Sequence, residues 1–269
     1  MTHGRVKSGP WLSKWYMDCI GADGECMIAY WARASWREMS VTYGGLLRRA
    51  ASGEVESRST LRPGREPLER DGEVRWACGA LGISGEWHAR GAPIVRELWR
   101  GDAGKVRWSC IAPAAEASVM LGGRELRGPG YVERIEMTVA PWRLPIRELR
   151  WGRWIGPRGS LVWIDWRGGH PLTLIAADGR EASGTVGDIA VQTSNGDVLE
   201  LARHGVIRSG KLGATVLGAI PGLGALLPDA ILSTQEDKWI GRSERRSADG
   251  AREEGWAIHE IVRFGLERP

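Results

Sequence analysis

Six turn dipeptides, Asp23-Gly24, Asp71-Gly72, Gly122-Gly123, Asp178-Gly179, Asn195-Gly196 and Asp249-Gly250, divide this 269-residue chain into short segments. Between apolar runs such pairs signal β-hairpins, because both central residues must reach positive φ, which Asn, Asp and Gly tolerate best. The flanks read as strands: residues 14–20 and 26–32 around the first turn, then 74–78, 105–111 and 118–121. Residues 160–166, 172–176, 185–193, 198–202, 238–242 and 256–264 continue the series. Helical periodicity is sustained nowhere over a dozen residues, although residues 146–151 and 222–232 have room for a short helical turn. Residues 49–70 are polar, contain two prolines, and read as a long loop or irregular edge. The expected class is therefore all-β: two antiparallel barrel or sandwich units packed together. A change of character near residues 126–130 divides them into units 1–127 and 128–269, and no exact internal repeat is visible.

The core of such a framework needs filling, and here the filler is tryptophan: fifteen, against four tyrosines and one phenylalanine. Eight of the fifteen adjoin an arginine (Trp36, Trp76, Trp99, Trp108, Trp142, Trp151, Trp154 and Trp166). Neighbours on a strand point to opposite faces, so a Trp-Arg pair reads as one side chain in and one out. Tryptophan is also the aromatic ring that best attracts a cation.

Thirty-two arginines and five lysines leave a net charge of +4, but they are scattered among carboxylates. No basic stripe forms, so nucleic acid is not an expected partner. Cys19, Cys26, Cys78 and Cys110 make no CxxC, and buried reduced thiols are favoured over a Cys19–Cys26 bridge. The amino terminus lacks an apolar signal-peptide core, which suits a cytoplasmic protein. Residues 212–232 are apolar but interrupted by Pro221, Pro228 and Asp229. They make a poor spanning helix and read as a loop and core strand rather than a membrane-touching lip, the alternative that leaves room for peripheral membrane association. The five histidines are dispersed with no zinc-ligand spacing, no phosphate-binding loop is recognisable, and no metal or cofactor is expected.

Several landmarks, taken in order, resemble a known family. They are Lys14-Trp15-Tyr16-Met17-Asp18, Asp23-Gly24, Ile28, Tyr43-Gly44, Arg107-Trp108-Ser109-Cys110-Ile111-Ala112-Pro113, Gly130-Tyr131-Val132-Glu133 and Leu149-Arg150-Trp151-Gly152-Arg153. Glu236-Asp237, Arg242-Ser243, His259-Glu260 and Arg263-Phe264 follow. Together they resemble the bacterial carotenoid 1,2-hydratases (hydroxyneurosporene synthases). That resemblance implies two lipocalin-like β-units, in a superfamily that also holds tocopherol cyclases and Diels–Alder catalysts. It implies, further, a carboxylic acid that protonates a terminal isoprenoid double bond, with water capturing the tertiary cation. By position the acid falls at Glu133, the tyrosine at Tyr131 and the tryptophan at Trp108. The family's histidine falls at Val106, so the imidazole that would assist water is missing. Capture without water, by cyclisation or deprotonation, gains weight accordingly.

Protonating an alkene requires a neutral carboxyl group against a dry apolar wall, and burial supplies that by raising its pKa. Tyr131 and Glu133 share one face of an extended strand; Trp108 shares a face with Val106 and Cys110 on another. From the residues alone, the default reading of Glu133 is a surface carboxylate beside Arg134 and Glu136. Asp165, on the face of Trp163, and Glu260, on the face of Trp256, are the other candidate acids, with Asp18 a third buried carboxylate. For Asp165 a structural pairing with arginine is favoured. The expected catalytic set is Glu133, Tyr131, Asp165 and Glu260. The substrate-binding set is Trp108, Trp163 and Trp256, with Trp15 and Trp151. The expected activity is that of an acid-initiated cyclase or hydratase acting on an isoprenoid or polyene. A carrier for a hydrophobic small molecule and a pericyclase are the alternatives.

Overall fold

A computed structural model describes residues 10–36, 39–211 and 232–265. The expectations for residues 212–231 lie outside the described residues. Among those described, no helix is long and apolar enough to cross a membrane.

The first sheet holds β1 (Trp11–Ile20), β2 (Cys26–Trp36), β3 (Met39–Arg49), β4 (Val55–Thr60) and β5 (Leu68–Arg70). It continues with β6 (Glu73–Cys78), β7 (Ile83–Ala89), β8 (Ile94–Gly101), β9 (Gly104–Leu121) and β10 (Arg124–Met137). The second holds β11 (Ile146–Ile155), β12 (Ser160–Gly168), β13 (Leu172–Ala177), β14 (Arg180–Ala182) and β15 (Gly184–Val186). It ends with β16 (Ala190–Thr193), β17 (Val198–Glu200), β18 (Gly205–Lys211), β19 (Gln235–Arg246) and β20 (Arg252–Arg263). The fold is thus all-β, two ten-stranded antiparallel sheets that match two packed lipocalin-like units. The sheets meet at residues 138–145. The division expected at 127/128 falls within β10, which pairs with β1 from Cys19↔Gly130 to Leu12↔Met137 and so belongs wholly to the first sheet.

The two sheets are topological copies. The first runs β4-β3-β2-β1-β10-β9-β7-β6-β5 with β8 also on β9, and adding ten to each number gives the second. The repeat that the sequence hides is therefore present in the chain path.

The turn dipeptides fall into two classes. Asp71-Gly72, Gly122-Gly123 and Asp178-Gly179 have positive φ at both residues, as two-residue hairpins require. At Asp23-Gly24, Asn195-Gly196 and Asp249-Gly250 only the glycine is left-handed. There the glycine N–H reaches back three residues, as Gly24 does to the Gly21 carbonyl at 3.0 Å, closing a turn one residue longer. Residues 146–151 form a strand, not a helical turn, and residues 49–70 contain the short β4 and β5 at the two ends of the strand order.

Three apolar cores result. One lies within the first sheet (Trp15, Met17, Trp31, Trp87, Val132) and one within the second (Trp154, Leu161, Trp163, Ile175). The third joins the sheets, with Tyr16, Trp108, Tyr131, Trp151, Ile164 and Ile258. One-in, one-out alternation holds for Arg75-Trp76 and Arg107-Trp108, where the arginine is exposed. It fails on β11, where Arg150 and Arg153 are as buried as Trp151 and Trp154, because this strand is covered on both faces. Opposite faces also decide the cysteines: Cys19 enters the first sheet's core and Cys26 the joint core, so the two cannot bridge, and all four thiols are free and buried. Burial pushes the Cys19 thiol up to about 12.

Gly152 shows how tightly the second sheet is closed. It pairs with Trp163 and His259, and a Cβ there would lie 2.2 Å from Trp163 Cζ2 and 2.8 Å from His259 Cβ. Gly152→Ala is expected to cost about 1–3 kcal/mol through overpacking. Gly91→Ala, where an added Cβ meets nothing within 4 Å, is the control. Equal melting temperatures for the two variants would contradict this packing.

Candidate functional site

Glu133 lies on β10 opposite Tyr16 of β1 and Cys110 of β9. From Gly130 to Glu133, three steps along β10 face five along β9, from Ala115 to Cys110. This irregularity includes Pro113, which has no N–H to give a ladder and is tolerated in a strand at such a place. The side chains of Tyr131 and Glu133 therefore point together into the joint core, while Val132 points into the first sheet's own core.

Three hydrogen bonds converge on a single oxygen of Glu133. Trp108 Nε1 donates to Oε2 at 2.6 Å, Tyr131 Oη at 2.6 Å and Trp151 Nε1 at 3.0 Å. The first two donors come from the first sheet and the third from β11 of the second, so the carboxyl group is held where the sheets meet. All three donors keep their hydrogens. Indole N–H does not ionise, and burial pushes the Tyr131 phenol well above its ordinary value. Oε1 makes no hydrogen bond among the described residues, and Glu133 keeps accessible surface. With Oε2 saturated, a proton on this group sits on Oε1.

Burial raises the Glu133 pKa, and this outweighs the opposing pull of Trp108, Tyr131, Trp151 and the Lys14 charge. The neutral form is thus more favoured than in an ordinary glutamate, while the donors stand ready to stabilise the carboxylate left when the proton departs. Around the carboxyl group the rings of Tyr16, Tyr131 and Trp151 pack edge to face or tilted, with centroids 4.8–5.9 Å apart, and Tyr16 meets Tyr30 at 5.5 Å. All four tyrosines of the chain lie in or against the joint core. Their concentration there is a signal in the composition that the tryptophan excess overshadows.

The other expected acids stand apart. Glu260 occupies the place in the second sheet that Glu133 holds in the first. Counting from the hairpin ends Ile20 and Ile155, Tyr16 corresponds to Trp151, and these pair with Glu133 and Glu260 respectively. Where Glu133 faces neutral donors, Glu260 is ion-paired with Lys238 Nζ at 2.5 Å. Lys238 also meets Glu236 at 3.0 Å and donates to Tyr30 Oη at 2.8 Å, and Arg208 meets Glu236 at 3.0 Å. Burial works against the Glu236 charge, but Lys238 and Arg208 prevail and hold its pKa at about 2. Asp165 accepts from Arg167 Nε at 2.8 Å and Thr173 Oγ1 at 2.7 Å. Asp18 makes a two-pronged pair with Arg153, Nη2 at 2.6 Å and Nε at 3.1 Å, both side chains fully buried.

Of the expected tryptophans, Trp108 and Trp151 reach Glu133. Trp15 is on the opposite face of β1, bonded to Glu66 Oε1 at 2.9 Å, and Trp163 is in the second sheet's own core. Trp256 packs against the joint core with Arg242 5.0 Å over its ring. Val106, at the position expected of a histidine, is buried beside Trp108. His259 is in hydrogen-bond contact with the Ala202 carbonyl at 3.0 Å instead.

No family model and no curated protein matches the sequence. Solved structures do match in fold. CghA superposes with a TM-score of 0.62 at 10% identity, covering 98% of this chain and 91% of that one. CghA with Sch210972 gives 0.61 at 8% identity, over the same shares of the two chains. An AttH-type protein of Nitrosomonas europaea gives 0.60 at 9%, covering 96% of this chain and 93% of that one. Kievitone hydratase from Nectria haematococca gives 0.53 at 9%, covering 95% and 89%. The two-unit architecture is thus shared across almost the full length of each of these proteins.

Proposed function

We propose that this chain is an acid-initiated enzyme acting on an isoprenoid or polyene, with Glu133 as the proton donor at the junction of the two sheets. The observation that carries the reading is the convergence of Trp108, Tyr131 and Trp151 on one carboxyl oxygen of a half-buried acid whose other oxygen has no hydrogen bond among the described residues. Tyr131 and the two indoles hold Oε2; the proton on Oε1 is transferred to the less substituted carbon of a trisubstituted alkene. The π pair forms the new C–H bond, the O–H pair stays on the carboxyl group, and a tertiary cation faces the carboxylate. As negative charge grows on Glu133 the three donors strengthen, which is stabilisation specific to the transition state. Tyr16, Tyr30 and Trp151 supply aromatic faces to the cation.

The cation can be captured by a second double bond of the same substrate, after which loss of a proton to Glu133 restores the acid. With valine at position 106 and the described histidines elsewhere, nothing near Glu133 matches a water-activating imidazole. Cyclisation or double-bond migration is therefore preferred here to hydration. Likeness to kievitone hydratase, a hydratase by name, keeps hydration as the variant. The experiment is incubation with polyprenyl alcohols in D₂O followed by mass spectrometry. Acid initiation places deuterium on a carbon of the product. Substrate returned unlabelled would instead mark a carrier, and an unlabelled rearranged product a pericyclase.

The pH profile follows from the same group. Glu133 has to be protonated to act, and its pKa is raised by burial. Turnover is expected to be level on the acid side and to fall with unit slope as pH rises through that pKa. Of the titratable groups around it, the Cys110 thiol and the Tyr131 phenol are pushed well above their ordinary values, chiefly by burial, and Lys14 acts as a cation. A profile that rises with pH across the same range would assign the step to a base instead.

A further inference from the structure

Several of the charged side chains between the sheets are paired. Lys238 and Arg208 balance Glu236 and Glu260, and Arg153 balances Asp18. Glu133 is met by neutral donors alone. Lys14 is left over. It has no ion pair and no hydrogen bond among the described residues, and its recorded contact is the face of Tyr30, 5.0 Å from Nζ to the ring centroid.

Its position is well defined. Lys14 pairs with Ile135 of β10 and Ala32 of β2, while the next same-face residue on β1, Tyr16, pairs with Glu133. Lys14 and Glu133 are thus diagonal neighbours on one sheet face, with side-chain stems about 7–8 Å apart. The residues on either side of it, Ser13 and Trp15, are buried, while Lys14 itself is exposed. Burial and the nearby Lys238 lower its hold on its proton, against the opposing pull of Glu260, Glu236 and Glu133. An accessible cation that lies over a buried tyrosine ring and has no ion pair among the described residues can take an anionic group from a ligand.

We propose that Lys14 is the anchor for a carboxylate carried by the hydrophobic ligand, so that the substrate class is a polyene acid whose head group is held at Lys14 while its unsaturated chain passes Glu133. The inference rests on the acid-site reading above for the second half of that statement. An anionic oxygen at Lys14 gives this cation a partner and gains a charge-assisted hydrogen bond. It also fixes which double bond comes to Oε1, by the distance from the head group.

The test uses all-trans-retinoic acid and all-trans-retinol, which share one polyene skeleton, with binding to the full chain read by quenching of tryptophan fluorescence. Wild type is expected to bind the acid about tenfold more tightly than the alcohol, the size of one charge-assisted bond. Lys14→Met and Lys14→Gln are expected to bind the two alike, with alcohol affinity unchanged, and Lys14→Arg to keep the preference. A preference that survives in both neutral variants, or a wild type that shows none or binds neither compound, overturns the proposal. Glu133→Gln separates this from the acid assignment: it should keep the preference for the carboxylate whether or not it loses turnover.

Discussion

Glu133→Gln is expected to reduce turnover by about 10²–10⁴-fold, the usual contribution of a general acid. The amide keeps the shape and can still accept from Trp108, Tyr131 and Trp151 through its oxygen, so the fold should be retained. What it loses is the acidic proton on the second atom. The melting temperature should stay within a few degrees of wild type, since no buried charge is created and no donor is orphaned. Deuterium incorporation from D₂O should disappear along with product. Unchanged turnover in Glu133→Gln would remove the acid assignment outright, leaving shape-directed folding of the substrate as the surviving mechanism. Tyr131→Phe is the milder partner experiment. It removes one of three donors to Oε2, so it should slow the reaction less than the loss of the acid itself does.

The part of this site that could be read from residues is the part carried by one strand. Tyr131 and Glu133 are two apart, so any extended conformation puts them on one face. Trp108 could be placed on a second strand with the right neighbours. Trp151 could not be joined to them by pattern, because its bond to Glu133 crosses from one sheet to the other and depends on how the sheets dock. The fold shows the same division. Strands bounded by Asp-Gly or Asn-Gly turns were legible, since the turn chemistry is local. β10, with Gly128-Pro129-Gly130 in its middle, and β11, buried on both faces and so without alternation, were not. The duplication stayed hidden for a chemical reason. Equivalent places hold Tyr16 and Trp151, Asp18 and Arg153, Cys110 and Lys238, and of the set around the two acids only Glu133 and Glu260 match in kind. One copy surrounds its glutamate with neutral donors, and the other ion-pairs it with lysine. A single lysine in a motif has no pattern, and the meaning of Lys14 lies in its having no ion pair among the described residues around it.

The Asp18–Arg153 pair joins the two sheets, and breaking it is expected to have the largest effect on stability. Both side chains are fully buried, the guanidinium grips both carboxylate oxygens, and Nη1 also donates to the Trp256 carbonyl at 2.9 Å. Burial opposes both charges: it raises the Asp18 pKa against the pull of Arg153, whereas Asp18 more than restores the Arg153 charge, and the two-pronged geometry is that of an ion pair. Asp18→Leu leaves a buried guanidinium without its anion and should cost about 3–5 kcal/mol, as should Arg153→Met, which strands the carboxylate. The double variant Asp18→Leu/Arg153→Met should recover most of that loss, because neither charge remains to be desolvated. Denaturant midpoints of the four proteins give the coupling energy, and additive losses would show that the pair does not act as a unit. The recovered double variant then asks a sharper question. Asp18 lies opposite Tyr131, and Arg153 is one same-face step from Trp151, so the pair stands beside the hydrogen bonds that cross to Glu133. If its role is to fix the register of one sheet on the other, the double variant should be stable yet slow, with Trp151 no longer held to Oε2. Full activity in a stable double variant would show instead that the apolar joint core alone sets the register.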